Sequence, residues 1–290
     1  VHYNEKRIVY HTRMYNGYIT IRDIQEDRTY EAVYCRCIYG QGISWKSVSG
    51  IGTNNSLLHC KLRVQARVEV RIMKTLKQLK YSEAGFRAFY HNFFLVPLTG
   101  KLKMVFAGYP EYEQAEYVLT YGYIDHTAGM TLEVMAAAIR REDGKGVRLE
   151  DMNLRLASKI RIGVAKDKDC YILDDKLTKC AHEWYREHIE RLSDYDVGPE
   201  IEETRKMKFL DECRSPEYPD DVLVYLVPDE GKIEGCWVRI EGRAGRNLKG
   251  ILLNEPDQDL GVHRGETIEF TVNLNSENRI VLIAKGRLGR

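Results

Sequence analysis

The sequence predicts an α+β fold: a body built on a mixed or antiparallel sheet with a few helices, followed by a small β-rich unit, either a curved sheet or a barrel. Three observations predict it. An apolar fraction of 43% over 290 residues is enough for real cores. Residues 61–72 show a two-residue period, with Leu62, Val64, Ala66, Val68, Val70 and Ile72 alternating with Lys61, Arg63, Gln65, Arg67, Glu69 and Arg71. From Asp221 onward, five short β runs follow one another across compact turns. The expected organisation is a body over 1–210, divisible near 100–110, a linker over 211–220 and a β-rich unit over 221–290.

Each element has a local reason. Asn16-Gly17 sits between two β-prone runs and reads as a hairpin turn, because both residues tolerate positive φ. "TYEAVYCRCIYG" is a third strand, and the glycines and small polar residues after it are loop material. Residues 73–100 hold a helix-like patch ending near Pro97, 101–113 read as a strand and turn, and 114–125 as a strand. A helix is expected over 131–139, with Thr131 as N-cap, Leu132, Met135, Ala136 and Ile139 on one face, and Gly144 beyond. "KIRIGVAKDKDCYIL" reads as a strand pair turned at "KDKD". The strongest helical signal lies over 174–194, starting at Asp174 or Asp175, with Leu177, Ala181, Trp184, His188 and Leu192 near the helical repeat. Gly198-Pro199 opens a short charged helix, and Pro216 and Pro219 mark the boundary.

Charge is unevenly placed. The net formal charge is +1, but residues 1–109 carry +10 and residues 110–290 carry −9, with acidic residues dense from Glu190 to Glu230. Seven scattered cysteines read as buried thiols in a reducing compartment. No leader-like h-region and no apolar run of membrane length occurs, so the expectation is a cytoplasmic protein with no membrane association.

Candidate sites follow from residue type and spacing. Lys61, Arg63, Arg67 and Arg71 form a basic strand face suited to phosphate or to an acidic protein partner, although a wet strand face has the same composition. No aromatic stacking stripe accompanies it, which weakens the case for nucleic acid. Cys170, Cys180, His182 and His188 have ligand atoms but no tight hook, and six helical residues put the two histidines about 120° apart, so no metal is expected. GxSxG, HExxH, GxxxxGK[ST] and GxGxxG are absent, so no catalytic residue and no cofactor are assigned. His11 and Arg13, with His59, are the candidates for a polar site assembled by the fold.

In the β-rich unit Trp237 is expected as a core anchor. Gly250 permits close approach of two strands, Asn254-Glu255-Pro256 ends a strand, and Arg243 and Arg246 are the turn's contact residues. Trp237, Val238, Gly250, Leu252, Asn254, Pro256, Gly265 and Phe270 together resemble a small bacterial family of domains of unknown function, over roughly 221–284. The resemblance implies a cytoplasmic protein, some of the relatives being immunity-protein-like, and implies no catalytic residue. The leading expectation is a non-catalytic binding or interaction protein, of an immunity-type or stress-linked accessory kind, with a protein partner. The alternatives are a nucleic-acid binder using the 61–71 face and an enzyme with a polar site around His11, Arg13 and His59.

Overall fold

The computed structural model describes residues 76–106, 112–140, 146–151 and 159–285, and the strand backbones of 10–15, 18–23, 28–37, 40–44 and 68–71. The first four strands, β1 (Tyr10–Tyr15), β2 (Tyr18–Asp23), β3 (Arg28–Cys37) and β4 (Gly40–Ser44), form an antiparallel meander. β1 meets β2 with Tyr15 opposite Tyr18, the register that a two-residue connection imposes.

The body's main sheet is antiparallel. Its order is β5 (Val68–Arg71), β10 (Gly146–Asp151), β9 (Gly129–Arg140), β8 (Tyr117–Asp125), β7 (Phe93–Pro97), β12 (Cys170–Ile172) and β6 (Lys77–Leu79), with β11 (Lys159–Arg161) also on β9. Every residue of β8 and the first ten of β9 are buried, because both sheet faces are covered. On one face Phe94, Val96, Val118, Leu132 and Val134 meet α1 (Tyr81–Ala84), α2 (Phe86–Phe89), α3 (Lys101–Val105) and α4 (Ile162–Ala165). Phe89 stacks on Phe94 with ring centroids 4.1 Å apart. On the other face Phe93, Leu95, Leu119 and Met135 pack against Leu177 and Ala181 of α5 (Asp175–Trp184), with α6 (Arg186–Glu190) and the 3-10 turn 191–195 beside them.

Three expectations are corrected in this region. Residues 131–139 form strand β9, not a helix. A strand buried on both faces is apolar at nearly every position, and such a run satisfies helical spacing by default. Residues 101–105 form helix α3, not a strand. Residues 159–173 are not a hairpin: β11 joins β9, whereas β12 lies between β6 and β7, with α4 intervening. The patch before Pro97 resolves into two single-turn helices and buried strand β7. The expected helix over 174–194 forms, capped by Asp174 Oδ1 accepting from Leu177 N–H at 2.8 Å, and breaks at Tyr185.

From Asp221 the five predicted runs close into a barrel: β13 (Asp221–Val227), β14 (Glu234–Ala244), β15 (Asn247–Leu252), β16 (Thr267–Leu274) and β17 (Ile280–Lys285). Four neighbouring pairs are antiparallel, so the fifth strand returns pointing the same way as the first. The closing pair β13–β17 is therefore parallel, with Tyr225 opposite Ile283. Val222, Val224, Val238, Ile240, Leu252 and Phe270 fill the interior, and Leu210 and Cys213 of the 3-10 turn 208–213 join the same core. Gly250 faces Ile240 across the ladder, where a Cβ would come 2.2 Å from the Arg239 carbonyl oxygen. Gly250→Ala should therefore destabilise the barrel by about 1–3 kcal/mol, read as a lower urea midpoint. An unchanged midpoint would refute the close-approach account.

The segment between body and barrel is strongly tied down. Helix α7 (Pro199–Lys206) presents Arg205, whose Nε and Nη2 donate to the two oxygens of Asp220 at 2.9 and 2.7 Å. Its Nη1 donates to the Tyr90 hydroxyl at 2.9 Å and to Glu202 at 2.5 Å. Both Arg205 and Asp220 are 2% exposed. Part of the acidic stretch is thus paired within the chain, buried at Asp220 and partly exposed where Asp211 meets Arg87 and Glu217 meets Lys166.

Candidate docking face of the barrel

Strand alternation in a closed barrel gives one side chain in two to the core and one to the outside. On β13 the inward Val222, Val224 and Leu226 alternate with Leu223, Tyr225 and Val227, and on β14 Cys236 and Val238 alternate with Gly235 and Trp237. On β17 Leu282 and Ala284 point in, leaving Val281 and Ile283 outside. The registers place these residues side by side: Leu223 is opposite Trp237, Tyr225 is opposite Gly235, and Tyr225 neighbours Ile283 on the other side. The outer face of these three strands is an apolar stripe with two aromatic side chains, Tyr225 at 37% and Trp237 at 39% exposure.

The rest of the wall is different. β16 presents Thr267, Glu269 and Thr271, with Val272 and Leu274 exposed toward its end, and β15 presents Asn247, Lys249 and Ile251. The exposed aromatic side chains of the barrel thus lie in one sector. Along its margin a groove of about 290 Å³ opens between Tyr225, Val281 and Glu212, with Asn275 and Arg279 also lining it. The Arg279 amide donates to Asn275 Oδ1 at 2.9 Å, which fixes that wall. At the groove Cys213 donates its thiol to the Ile280 carbonyl oxygen at 3.6 Å, and burial pushes its pKa up, so it is a packing group and not a nucleophile.

Trp237 is accordingly corrected from core anchor to surface residue. Its strand neighbours Cys236 and Val238 are fully buried, and alternation turns the indole outward. Its backbone N–H donates to Asn254 Oδ1 at 2.7 Å, so the Asn254 corner after β15 is held to β14. Glu255 in that corner accepts from His263 Nδ1 at 2.7 Å and from the Arg264 N–H at 2.8 Å. Arg243 lies at the end of β14, with its N–H 3.3 Å from Glu200 Oε2 and its guanidinium 3.8 Å from Glu203 of α7. Arg246 is exposed in the β14–β15 turn.

The other sequence candidates are distributed as follows. Lys61, Arg63, Arg67 and His59 lie outside the described residues. Arg71 ends β5 opposite Gly146, and His11 and Arg13 lie on β1, with only their backbones described. Cys170 belongs to the core on one face of the sheet, whereas His182 rests on Phe93 and Tyr121 on the other, so these two cannot share an ion. Among the described residues no group of three or more His, Cys, Asp or Glu is placed to hold a metal.

A second polar cluster was not foreseen from sequence. Glu133 lies in apolar strand β9, is 1% exposed, and meets His188 Nε2 of α6 through Oε1 at 3.2 Å. Its Oε2, His188 Nδ1 and the Tyr123 hydroxyl are buried without hydrogen-bond partners. Burial, and then the Glu133 charge, push the Tyr123 phenol well above its ordinary pKa. Comparison with family models, with curated proteins and with solved structures finds no match to this chain.

Proposed function

We propose that this chain is a non-catalytic interaction protein whose barrel docks a protein partner on the β13–β14–β17 wall. The observation that carries the reading is the stripe of Leu223, Tyr225, Trp237 and Ile283, which holds the barrel's exposed aromatic side chains. Rigid aromatic side chains flanked by aliphatic ones contribute most of the binding energy at protein interfaces, because they bury large area at little entropic cost. No basic side chain sits among Leu223, Tyr225, Trp237 and Ile283, and Arg239 beside them is paired with Asp221 at 2.8 Å, which favours an apolar protein surface over a phosphate backbone. The resemblance of residues 221–284 to the bacterial domain family, with its immunity-type relatives, supports the same class of role. Buried thiols, with Cys170 pushed up to about 12 by burial, fit a reducing, cytoplasmic setting. No helix of the described residues is long and apolar enough to cross a membrane.

The test uses a photo-crosslinking residue at position 223 in growing cells and, as control, one at position 269, whose neighbours on β15 are Lys249 and Asn247. A partner captured from 223 and not from 269 is expected. Tyr225→Ser and Trp237→Ser should each weaken that complex by about 2 kcal/mol, roughly thirtyfold, with unchanged circular dichroism. Identical captures from both positions, or full affinity in both variants, would remove the docking assignment.

A further inference from the structure

The barrel is attached to the body in two ways. The connecting segment is pinned: Arg87 donates twice to Asp211 at 2.9 Å, Tyr81 donates its hydroxyl to the Pro216 carbonyl, and Met130 N–H donates to the Glu217 carbonyl at 2.8 Å. The barrel wall touches the sheet elsewhere, where β14 reaches the turn between β8 and β9. There His126 Nε2 lies 3.0 Å from Glu241 Oε1 on β14, and Arg239 Nη2 donates to the Thr127 carbonyl at 3.4 Å. The other ring nitrogen, Nδ1, lies 2.8 Å from Asp220 Oδ2.

A neutral imidazole donates from one nitrogen only, so a ring with a carboxylate oxygen on each nitrogen makes both bonds only as the cation. We propose that His126 is a proton-operated latch: when protonated it clips β14 to the β8–β9 turn, and when deprotonated it frees the barrel wall to pivot on the pinned connecting segment.

The surrounding charges support this role. Asp220 and Glu241 face the ring directly, and Asp221 at the head of β13 lies close enough to interact. Of the nearby cations, Arg239 is held by Asp221 at 2.8 Å and Arg161 by Asp125 at 3.2 Å, whereas Arg205 shares Asp220 Oδ2 with the ring, at 2.7 Å. Among the described ion pairs, Glu241 has no cation other than His126. Losing the proton therefore leaves one of the two carboxylates, Asp220 or Glu241, facing a lone pair. Burial alone would lower the imidazole pKa, but the hydrogen bonds to Asp220 and Glu241 outweigh it and hold the ring above its ordinary value of 6.5. A raised folded-state value means that the clip is complete below that ordinary value and is lost as pH rises through the raised one. At the acid end, burial would raise the Asp220 carboxyl, but Arg205 and His126 hold it below its ordinary 3.8, so that arm is lost only as pH falls through the lowered value.

This latch is independent of the docking role and is tested without a partner. Hydrogen exchange of the full chain, corrected for the intrinsic rate, is followed on peptides covering residues 122–131 and 236–244, while the His126 ring is titrated by NMR. Protection there should be lost as pH rises above 6.5 through the ring's raised value. The midpoint should coincide with the ring's own titration. His126→Arg, which keeps the charge, should hold protection through the alkaline range, and His126→Gln should lack it throughout. Protection that does not change with pH, a midpoint away from that of the ring, or a ring that titrates below 6.5 would overturn the latch. The wild-type comparison decides the matter even if a variant fails to fold.

Discussion

Arg205→Ala is expected to destabilise the chain by about 3–5 kcal/mol, because it strands a buried carboxylate. Arg205 satisfies both oxygens of Asp220, which is itself 2% exposed, and also, with Glu202 of the same helix, ties Tyr90 to α7. With the guanidinium removed, Asp220 keeps only His126, and the Tyr90 hydroxyl and Glu202 lose a charged donor. Urea unfolding measures the loss. Arg205→Lys should recover only part of it, since an ammonium cannot reproduce the two parallel bonds to one carboxylate. A loss under about 1 kcal/mol for the alanine variant would mean that Asp220 finds water or protonates at little cost.

The second large effect is non-additive. His188→Leu alone should cost about 3–5 kcal/mol, because it removes the hydrogen-bond partner of a Glu133 side chain buried in an apolar sheet. Joining it to Glu133→Leu should restore wild-type stability or exceed it by about 1–4 kcal/mol, since the pair is half satisfied and its site is otherwise lined for apolar packing. A double variant as unstable as the single one would show that the polar cluster, including Tyr123, holds α6 onto the sheet in a way packing cannot replace.

Legibility in the sequence depended on how many faces of an element are wet. The barrel strands alternate apolar and polar positions, and turns with glycine or proline separate them, so all five were readable. β9 was not, because Met130 to Ala138 is buried on both sides and carries no period to distinguish strand from helix. Single-turn helices such as α1 and α3 are too short to show a repeat, and packing against the sheet decides them. Trp237 was misplaced for a related reason: a large aromatic residue in a β run suggests a core, and its parity relative to Cys236 and Val238 was the available signal against it. The proposed docking face was out of reach because its residues come from three strands, at 223–225, 237 and 281–283, the last of which joins the others only on barrel closure. His126 and Glu241 are likewise 115 residues apart.

The parallel seam between β13 and β17 also sets an order on synthesis. Tyr225 waits for Ile283, so the first barrel strand emerges from the ribosome well before its closing neighbour and remains an open edge until then. During that interval Leu223, Tyr225 and Trp237 lie beside unpaired backbone rather than on a finished wall. Within the barrel, a binder of nascent apolar segments meets this seam first, and the rate of closing this long loop limits how long the encounter lasts.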